Sequence, residues 1–385
     1  MKKGARNYII FAIAALHILF VGFSQSQSDR SFLNPPQIID AHTADELYLK
    51  SNRKFSGIPS MAIAKNGRIW AVWYAGITPA EDHNNYVVVA TSIDGGETWE
   101  EMFFIDPDRE GPVRSFDPQV WIDPGGKLWV FWAQTIGLDG SISGIWCMQA
   151  TDGEDEDTKW SKPRRLHDGI MMNKPTVLDD GTWLIPAATW MLTNNSAKVL
   201  ASSDQGKTWM LRGAVNVPRE ARSPDEPMIV ERRDGSLWIL VRTRYGIGES
   251  TSADKGVTWS PLIPSSIGHA TARFFIRRLS SGNLLLVKHG PISQRTDRSH
   301  LMAFISKDDG RSWSKGLMLD QRLGVSYPDG QQTQDGTIWI VYDFDRRGEQ
   351  QILMTTFSEE DVLAKNYDEQ IWNASQRRKT VSKHH

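Results

Sequence analysis

Short apolar segments and polar turns alternate along most of this chain at a regular spacing. In each copy an apolar strand leads into a Gly-containing turn, most often Asp-Gly or Asn-Gly, and a second, often Trp-rich strand follows. The copies are Met61–Tyr74, Gln119–Trp132, Pro175–Ala187, Pro227–Val241, Phe274–Val287 and Gly330–Tyr342. They lie about 50 residues apart, which is the spacing of four-stranded propeller blades.

A second turn recurs in phase with the first and follows a Ser-x-Asp-x-Gly-x-Thr/Ser-Trp pattern. Its copies are Ser92–Trp99, Ser202–Trp209, Ser252–Trp259 and Ser306–Trp313, with a degraded copy at Thr151–Trp160. In such a turn Asp accepts hydrogen bonds from its own backbone, Gly supplies a positive φ, and Trp packs back over the hairpin. The pattern therefore predicts a structural turn, although its Asp residues superficially resemble metal ligands.

Together the two series predict an all-β fold, a six-bladed β-propeller of four-stranded antiparallel sheets over residues 30–365. In each blade the first turn joins strands A and B, and the second joins strands C and D. The last blade lacks an outer strand after Gln351–Phe357, and we expect Gln37–Ile39 to supply it and close the ring. Seven blades would require an irregular blade from residues 30–55 and the tail. That tail, residues 366–385, is polar and basic and is expected to be a solvated extension.

The N-terminus combines basic residues with a short apolar run. Lys2, Lys3 and Arg6 precede the apolar residues 8–23, and small polar residues follow. This arrangement predicts a signal peptide over residues 1–26, and hence a periplasmic or secreted protein without membrane attachment after cleavage. The alternative is an uncleaved membrane anchor, for which the run is short, because a span needs roughly 20 residues.

Composition narrows the range of partners. The formal net charge is −2, and nucleic acid is not an expected partner, because nucleic-acid-binding proteins usually carry a basic surface. The single cysteine, Cys147, cannot form an internal disulfide. The sequence contains no metal-binding motif and we expect no cofactor. A calcium ion on the propeller axis stays open as an alternative, because axial carbonyl and carboxylate ligands leave no linear pattern.

Strand direction places the candidate chemistry on one face of the disc. The A–B and C–D turns lie on one face, and the B–C and D–A connections lie on the other. Four D–A connections carry a cation, namely Arg114, Lys174, Arg222 and Arg273. On a nearly neutral chain their convergence favours a ligand with carboxylate or sulfate groups. The alternative is a structural ion network around the axis, in which they pair with the acidic residues Asp117, Asp225, Glu226 and Asp329.

Further candidates come from the B–C connections and from the same acidic residues. They are His83, Trp190, Arg242, Tyr245 and His289, with Asp225 as an additional substrate-binding residue. His83 lies in an acidic, amide-rich loop between Tyr74 and Tyr86, whose rings we expect to stack on a sugar. Imidazole titrates near neutral pH. His83 is therefore a candidate acid/base residue, set against the simpler interpretation of a solvated loop histidine.

The recurrent turns and blades resemble the Asp boxes and blades of the sialidase superfamily over roughly residues 55–360. Asp boxes occur across many activities, so this resemblance predicts architecture only. A true sialidase opens its first blade with Arg-Ile-Pro, and that Arg grips the substrate carboxylate, whereas this chain reads Gly57-Ile58-Pro59. The resemblance leaves open a sialidase-like hydrolase in which Tyr327 is the nucleophile and Glu226 supports it.

Other segments are more similar to bacterial propeller enzymes that act on rhamnose joined to glucuronate. The segments are residues 74–99, 173–175, 225–227 and 273–278. This resemblance implies that His83 is the acid/base residue. For uronate β-elimination, Tyr327 or Tyr245 would carry the second proton, and Arg222 and Arg273 would clamp the carboxylate.

The sequence therefore predicts an exported lyase or glycoside hydrolase whose partner is an acidic oligosaccharide or polysaccharide. Its expected target is a rhamnose–uronate unit of ulvan or arabinogalactan, and elimination is favoured over hydrolysis. The alternatives are the hydrolase with a Tyr/Glu pair and a non-catalytic propeller that binds glycans. A rise in absorbance from an unsaturated uronate would separate elimination from both alternatives.

Overall fold

The computed structural model describes residues 30–364, apart from 139, 141, 156, 192 and 193, together with residues 376–384. The signal peptide predicted for residues 1–26 lies outside the described residues. Among those described, no helix is long and apolar enough to cross a membrane. The helical segments are the 3-10 turns Ser31–Leu33, Glu46–Tyr48, Lys50–Asn52 and Arg219–Ala221, and the α-helix α1, Glu359–Leu363.

Six antiparallel sheets form the blades of a β-propeller, as the spacing of the turns predicts. Blade 1 consists of β1 Gln37–Asp40, β2 Phe55–Ile63, β3 Ile69–Gly76, β4 Tyr86–Ser92 and β5 Glu100–Asp106. Blade 2 consists of β6 Val113–Ile122, β7 Leu128–Ile136, β8 Ile142–Ala150 and β9 Arg164–Asp168. Blade 3 consists of β10 Thr176–Val177, β11 Trp183–Ala188, β12 Ala197–Ser202 and β13 Met210–Val215. Blade 4 consists of β14 Met228–Glu231, β15 Leu237–Thr243, β16 Gly246–Ser252 and β17 Ile263–Pro264. Blade 5 consists of β18 Phe275–Arg278, β19 Leu284–His289, β20 Leu301–Ser306 and β21 Leu317–Asp320. Blade 6 consists of β22 Val325–Gln332, β23 Ile338–Phe344, β24 Gln351–Phe357 and β25 Lys379–Ser382.

Both ends of the propeller pair differently from the sequence-based expectation. Strand β1 pairs with β5 as a fifth strand of blade 1, so the expectation that Gln37–Ile39 would complete the last blade is wrong. The outer strand of blade 6 is β25, which pairs with β24. The tail is therefore not only a solvated extension, because Val381 is buried and Lys379 donates a hydrogen bond to the Gly95 carbonyl oxygen at 2.9 Å.

The Asp-box turns have the structural role that the sequence predicts. Asp254 accepts hydrogen bonds from the backbone N–H of Thr258 at 2.9 Å and from its hydroxyl at 2.6 Å. The Trp259 ring N–H returns to the Gly256 carbonyl oxygen at 3.0 Å. The corresponding Asp residues of the other clear copies, Asp94, Asp204 and Asp308, bond their own turns in the same way. Each carboxylate is thus used to hold its own turn.

The inner strands of blades 1, 2 and 6 share a local distortion near one end. Strands β2, β6 and β22 each shift register at this point. The residues Ile58, Asp117 and Tyr327 have φ values of 60°, 49° and 52° there, and each precedes a proline. Positive φ is uncommon for such residues and stores local strain, which concentrates at functional sites. The bulges turn the side chains of Asp117 and Tyr327 into one region, where the candidate site lies.

An ion cluster fills the centre of the propeller. The Lys174 ammonium lies 2.7 Å from Asp329 Oδ2, and Arg273 Nη2 lies 3.3 Å from Asp329 Oδ1. The hydroxyl of Ser60 donates a hydrogen bond to Asp329 at 2.6 Å, and Asp329 and Arg273 are fully buried. This axial ion cluster ties together blades 1, 3, 5 and 6. For Lys174, Arg273 and Asp329 it is the structural network that the sequence left open as an alternative.

Candidate active site

Three polar side chains from blades 4 and 6 meet beside the bulge of β22. The Tyr327 hydroxyl donates a hydrogen bond to Glu226 Oε1 at 2.7 Å. Arg242 Nη1 bridges the two, since it lies 2.5 Å from Glu226 Oε1 and 2.9 Å from the Tyr327 oxygen. All three side chains are buried, and Glu226 Oε2 has no hydrogen-bond partner in the described part of the chain. The sequence named all three as site residues, with the Tyr327–Glu226 pair as its alternative to His83.

The surroundings of Tyr327 keep its hydroxyl protonated. Burial raises the pKa of Tyr327 to about 12; nearby Arg242 opposes this shift, and Glu226 adds to it. At neutral pH the phenol is therefore neutral and its proton points to the Glu226 carboxylate. A hydroxyl that is hydrogen-bonded to a base is the arrangement of an activated nucleophile. The triad can thus form a bond to an electrophilic carbon while Glu226 takes the proton.

Four arginines, one of them the Arg242 of the triad, form what we call the guanidinium cluster. They are Arg114, Arg242, Arg298 and Arg346. The guanidinium carbons of Arg346 and Arg298 lie 4.2 Å and 5.4 Å from the centre of the Tyr327 ring. Arg114 stacks 3.9 Å from the centre of the Phe116 ring. The sequence identified Arg114 and Arg242 but missed the other two, which lie in loops without a recognisable motif.

One acidic residue of the β3–β4 loop faces the guanidinium cluster. Glu81 lies 4.0 Å from Arg114 and 3.8 Å from Arg346, and 38% of its side chain is exposed. Burial works to raise the pKa of Glu81, but Arg346 and Arg114 outweigh it, and the pKa is lowered. Glu81 is therefore an ionised carboxylate at the edge of the site. The sequence did not single out Glu81, because residue type favours His83, two positions later in the same loop, as the acid/base group.

Asp82 and His83, which follow Glu81 in the β3–β4 loop, do not face the guanidinium cluster in the same way. Asp82 closes the loop, since its carboxylate accepts hydrogen bonds from the Thr78 hydroxyl at 2.5 Å and the Asn84 N–H at 2.9 Å. His83 is exposed and has no hydrogen bond to another described residue. The rings of Tyr74 and Tyr86, which the sequence suggested as sugar-stacking groups, are fully buried. The expectation that they stack on a sugar is therefore wrong.

Asp117 is a buried carboxyl group between Glu81 and the triad. Burial raises its pKa to about 8; Arg114 opposes this shift, and the negative charges of Glu81 and Glu226 add to it. Asp117 is thus mostly protonated at neutral pH. A protonated carboxyl group in an apolar setting can donate a hydrogen bond to a ligand. The sequence placed Asp117 on this face as a partner in an ion network.

A second group of predicted residues packs behind Glu226. The Trp190 ring N–H donates to the Asp225 carbonyl oxygen at 3.2 Å, and Arg222 Nη1 donates to the Trp190 carbonyl oxygen at 3.3 Å. The Ser196 hydroxyl bonds the Asp225 carboxylate, and burial raises the pKa of Asp225 to about 7. These contacts hold the segment that carries Glu226. A direct role of Trp190, Arg222 and Asp225 in substrate binding stays a prediction.

The remaining predicted site residues lie outside the triad and the guanidinium cluster. Lys174 and Arg273 belong to the axial ion cluster. His289 is buried, bonds the Val325 carbonyl oxygen at 2.9 Å, and has a pKa lowered to about 3 by burial. Tyr245 is partly exposed and lines a surface depression with Leu262 of blade 4 and Arg295 of blade 5. The structure brings none of these four into contact with Tyr327, and their roles in binding or catalysis stay predictions.

A protein-family model described as "BNR repeat-like domain" matches residues 67–340. The chain belongs to this family. A sialidase of Clostridium perfringens is 26% identical over an alignment of 249 positions that covers 55% of this chain and 62% of the relative. The chain spans about six tenths of the length of the curated relatives it matches, all of them sialidases.

Solved structures of sialidases share the fold of this BNR propeller. A Hadza microbial sialidase has a TM-score of 0.66 at 18% identity, over 81% of this chain and 67% of that chain. The intramolecular trans-sialidase from Ruminococcus gnavus, solved with oseltamivir carboxylate, has a TM-score of 0.64 at 15% identity, over 82% of this chain and 96% of that chain. At these identities the likeness concerns architecture. The chain is thus a sialidase-like BNR propeller.

Proposed function

We propose that the chain is a retaining glycoside hydrolase that removes an acidic sugar of the sialic acid class from the ends of glycans. The observation that carries this proposal is the hydrogen bond of 2.7 Å between the Tyr327 hydroxyl and Glu226, bridged by Arg242. The similarity to sialidases supports it. This is the alternative that the sequence left open beside uronate elimination.

The reaction proceeds in two displacement steps. In the first, the Tyr327 oxygen attacks the anomeric carbon and its proton passes to Glu226. The glycosidic C–O bond breaks, and the leaving oxygen takes a proton from Glu81. In the second, Glu81 removes a proton from water, the water oxygen attacks the same carbon, and Tyr327 leaves with the proton held by Glu226. Two inversions retain the configuration of the anomeric carbon.

A tyrosine nucleophile suits a substrate that carries a carboxylate next to the reacting carbon. An ionised Asp or Glu would be repelled by that carboxylate, whereas the hydroxyl of Tyr327 is neutral until the bond forms. The guanidinium cluster supplies cations for the substrate anion, since planar arginines bind carboxylates through two parallel bonds. The Ruminococcus gnavus relative, solved with oseltamivir carboxylate, supports a ligand of this charge.

Substrate binding also gives Glu81 a route to protonation. In the free protein, Arg346 and Arg114 oppose the effect of burial and lower the pKa of Glu81. A substrate carboxylate that pairs with these arginines offsets their positive field at Glu81. We therefore expect the pKa of Glu81 to rise on binding, which prepares it as the acid of the first step.

The rhamnose–uronate elimination remains the second candidate. It requires His83 at the reacting carbon and Arg222 and Arg273 on the substrate carboxylate. His83 is exposed without a hydrogen-bond partner among described residues, Arg222 bonds backbone carbonyl oxygens, and Arg273 faces Asp329. We therefore rank hydrolysis at Tyr327 above elimination as the proposed function. The sugar would be released outside the cytoplasm, in line with the signal peptide predicted for residues 1–26.

A trapping experiment tests the proposal. The mature protein is incubated with a fluorogenic sialoside and, separately, with a 3-fluorosialyl fluoride, which loses fluoride from C2 and leaves a slowly hydrolysed glycosyl–enzyme bond. We expect sugar release with retained configuration and a mass increase on the peptide that contains Tyr327. Tyr327→Phe should abolish both.

Tyr342→Phe is the matched control, because Tyr342 is equally buried and bonds Asp320 at 3.0 Å away from the triad. It should keep the activity and the label. The proposal fails if the wild-type protein releases no sugar and takes no label. A rise in unsaturated-uronate absorbance on ulvan oligosaccharides, lost in His83→Ala, would establish elimination instead.

A further inference from the structure

The inner strand of blade 1 has an open space at Gly57, and a side chain from blade 6 fills it. A Cβ atom placed on Gly57 would lie 2.7 Å from both Cγ and Cδ of Arg346, and 3.0 Å from its Nε. Real Cβ atoms essentially never approach other atoms within 3.0 Å. A side chain at position 57 and the present position of Arg346 therefore exclude each other.

Arg346 is held in this space by contacts with both strands. Its Nε donates a hydrogen bond to Asp343 Oδ2 at 2.9 Å, and the same oxygen accepts the Ile58 N–H at 2.7 Å. The Ser56 N–H bonds the Arg346 carbonyl oxygen at 3.1 Å. The bulge of β2 and the loop after β23 thus fix one another.

The outer end of Arg346 retains free hydrogen-bonding capacity. Its Nη2 is buried and has no hydrogen-bond partner in the described chain. Its Nη1 lies 3.8 Å from Glu81, which is beyond hydrogen-bond distance, and its guanidinium lies over the Tyr327 ring. A buried donor without a partner is costly, and beside a candidate active site a bound anionic ligand would satisfy it.

We propose that Arg346 replaces a residue at position 57 as the group that binds the substrate carboxylate in the first-blade sector of the site. This inference rests on the proposed function, because that function supplies the acidic sugar. The Arg346 guanidinium lies 4.2 Å from the centre of the Tyr327 ring and 3.8 Å from Glu81, so a carboxylate bound by it lies close to both proposed catalytic groups. The Gly57-Ile58-Pro59 segment is then the space for a relocated arginine, and the site keeps its cation.

Binding measurements separate this role from catalysis. Calorimetric titration compares an unsaturated sialic acid glycal with its methyl ester, and methyl glucuronide with its methyl ester. We expect the wild-type protein to prefer an acid to its ester. Arg346→Ala should reduce that preference by about 10- to 100-fold, the loss expected when a hydrogen bond to a charged group is removed. Affinity for the ester should change little.

Two further variants guard against a general loss of structure. Arg346→Lys keeps the charge but not the planar fork, and it should retain part of the preference. The double variant Gly57→Arg with Arg346→Ala returns a guanidinium from β2 into the vacated space and should restore much of it. Gly57→Arg alone should destabilise the fold, because both side chains then compete for one volume.

Arg322→Ala is the matched control. Arg322 also pairs with an aspartate, Asp320 at 2.6 Å, and stacks over an aromatic ring, Phe344 at 3.8 Å, but it makes no contact with the triad. It should leave the acid preference unchanged.

The proposal is overturned if Arg346→Ala keeps the wild-type ratio of acid to ester, or if the wild-type protein does not distinguish them. If the protein prefers the acid to the ester only for the glucuronide, and Arg346→Ala removes that preference, Arg346 binds the carboxylate but the substrate is not a sialic acid.

Discussion

Removing the acidic member of the axial ion cluster is expected to damage stability more than any surface change. Asp329→Ala leaves Lys174 and Arg273 buried without a counter-charge, and Ser60 and Met61 lose an acceptor. Breaking a buried ion pair by removing one partner costs about 3–5 kcal/mol. Lys174 can respond by losing its proton, since burial already lowers its pKa to about 8, whereas Arg273 cannot.

We therefore expect Asp329→Ala to lower the free energy of unfolding by about 4 kcal/mol, set mainly by the unpaired Arg273. Lys174→Met should cost less, because the Arg273–Asp329 pair remains. The double variant should differ from the sum of the single changes by about 0.5–3 kcal/mol, as contacting residues do. Since domains are stable by only about 5–15 kcal/mol, the single change takes a large share.

Urea unfolding followed by tryptophan fluorescence measures these differences. Asp180→Ala is the control, because Asp180 pairs with Lys255 at the surface, where an ion pair is worth about 0–1 kcal/mol. If Asp329→Ala is no less stable than Asp180→Ala, the axial ion cluster does not hold the blades together. That result would favour the prediction that Lys174 and Arg273 bind substrate.

Three further outcomes follow from the blades. Hydrogen bonds from Thr258 and Ser312 lower the pKa values of Asp254 and Asp308 to about 2, from the usual 3.8. The stabilisation that these ionised carboxylates give is therefore present above pH 4 and is lost as the pH falls toward 2. Asp254→Asn should make the melting temperature depend less on pH in this range. Gly213→Ala should lower stability by about 1–3 kcal/mol in urea, because its Cβ would lie 2.2 Å from the Gly256 carbonyl oxygen. Truncation after Ala364 removes β25 and should lower the melting temperature in calorimetry, since blade 6 loses its outer strand.

The blade architecture was predictable because its determinants are local and repeated. A turn such as Ser252–Trp259 carries its own hydrogen-bond acceptor, glycine and tryptophan, so these eight residues are enough to predict a hairpin. The outer strand of blade 6 has no such mark. Strand β25 has four residues between basic neighbours, and its pairing with β24 depends on a long return of the chain. Periodicity alone cannot place a short edge strand of this kind.

The candidate site was predictable as a region but not as a set of contacts. Strand alternation put Tyr327, Glu226 and Arg242 on one face, which the structure brings within hydrogen-bond distance. Residue type then favoured His83, since imidazole titrates near neutral pH. The decisive fact is the fold of one loop, where Asp82 bonds Thr78 and Asn84 and Glu81 faces the arginines. Such side-chain directions follow from tertiary contacts and have no periodic signature.

Gly57 shows why a missing motif residue is weak grounds for excluding an activity. The absence of arginine at position 57 counts against a sialidase-like site only if the substrate carboxylate must be bound from that position. In a propeller, however, every inner strand and its loops converge on one axis, so a cation can reach the same volume from another blade. A glycine inside a strand often marks the close approach of another group. At Gly57 that group is Arg346, with its Nη2 donor unused. The sequence therefore recorded the space at Gly57 but not the residue that fills it.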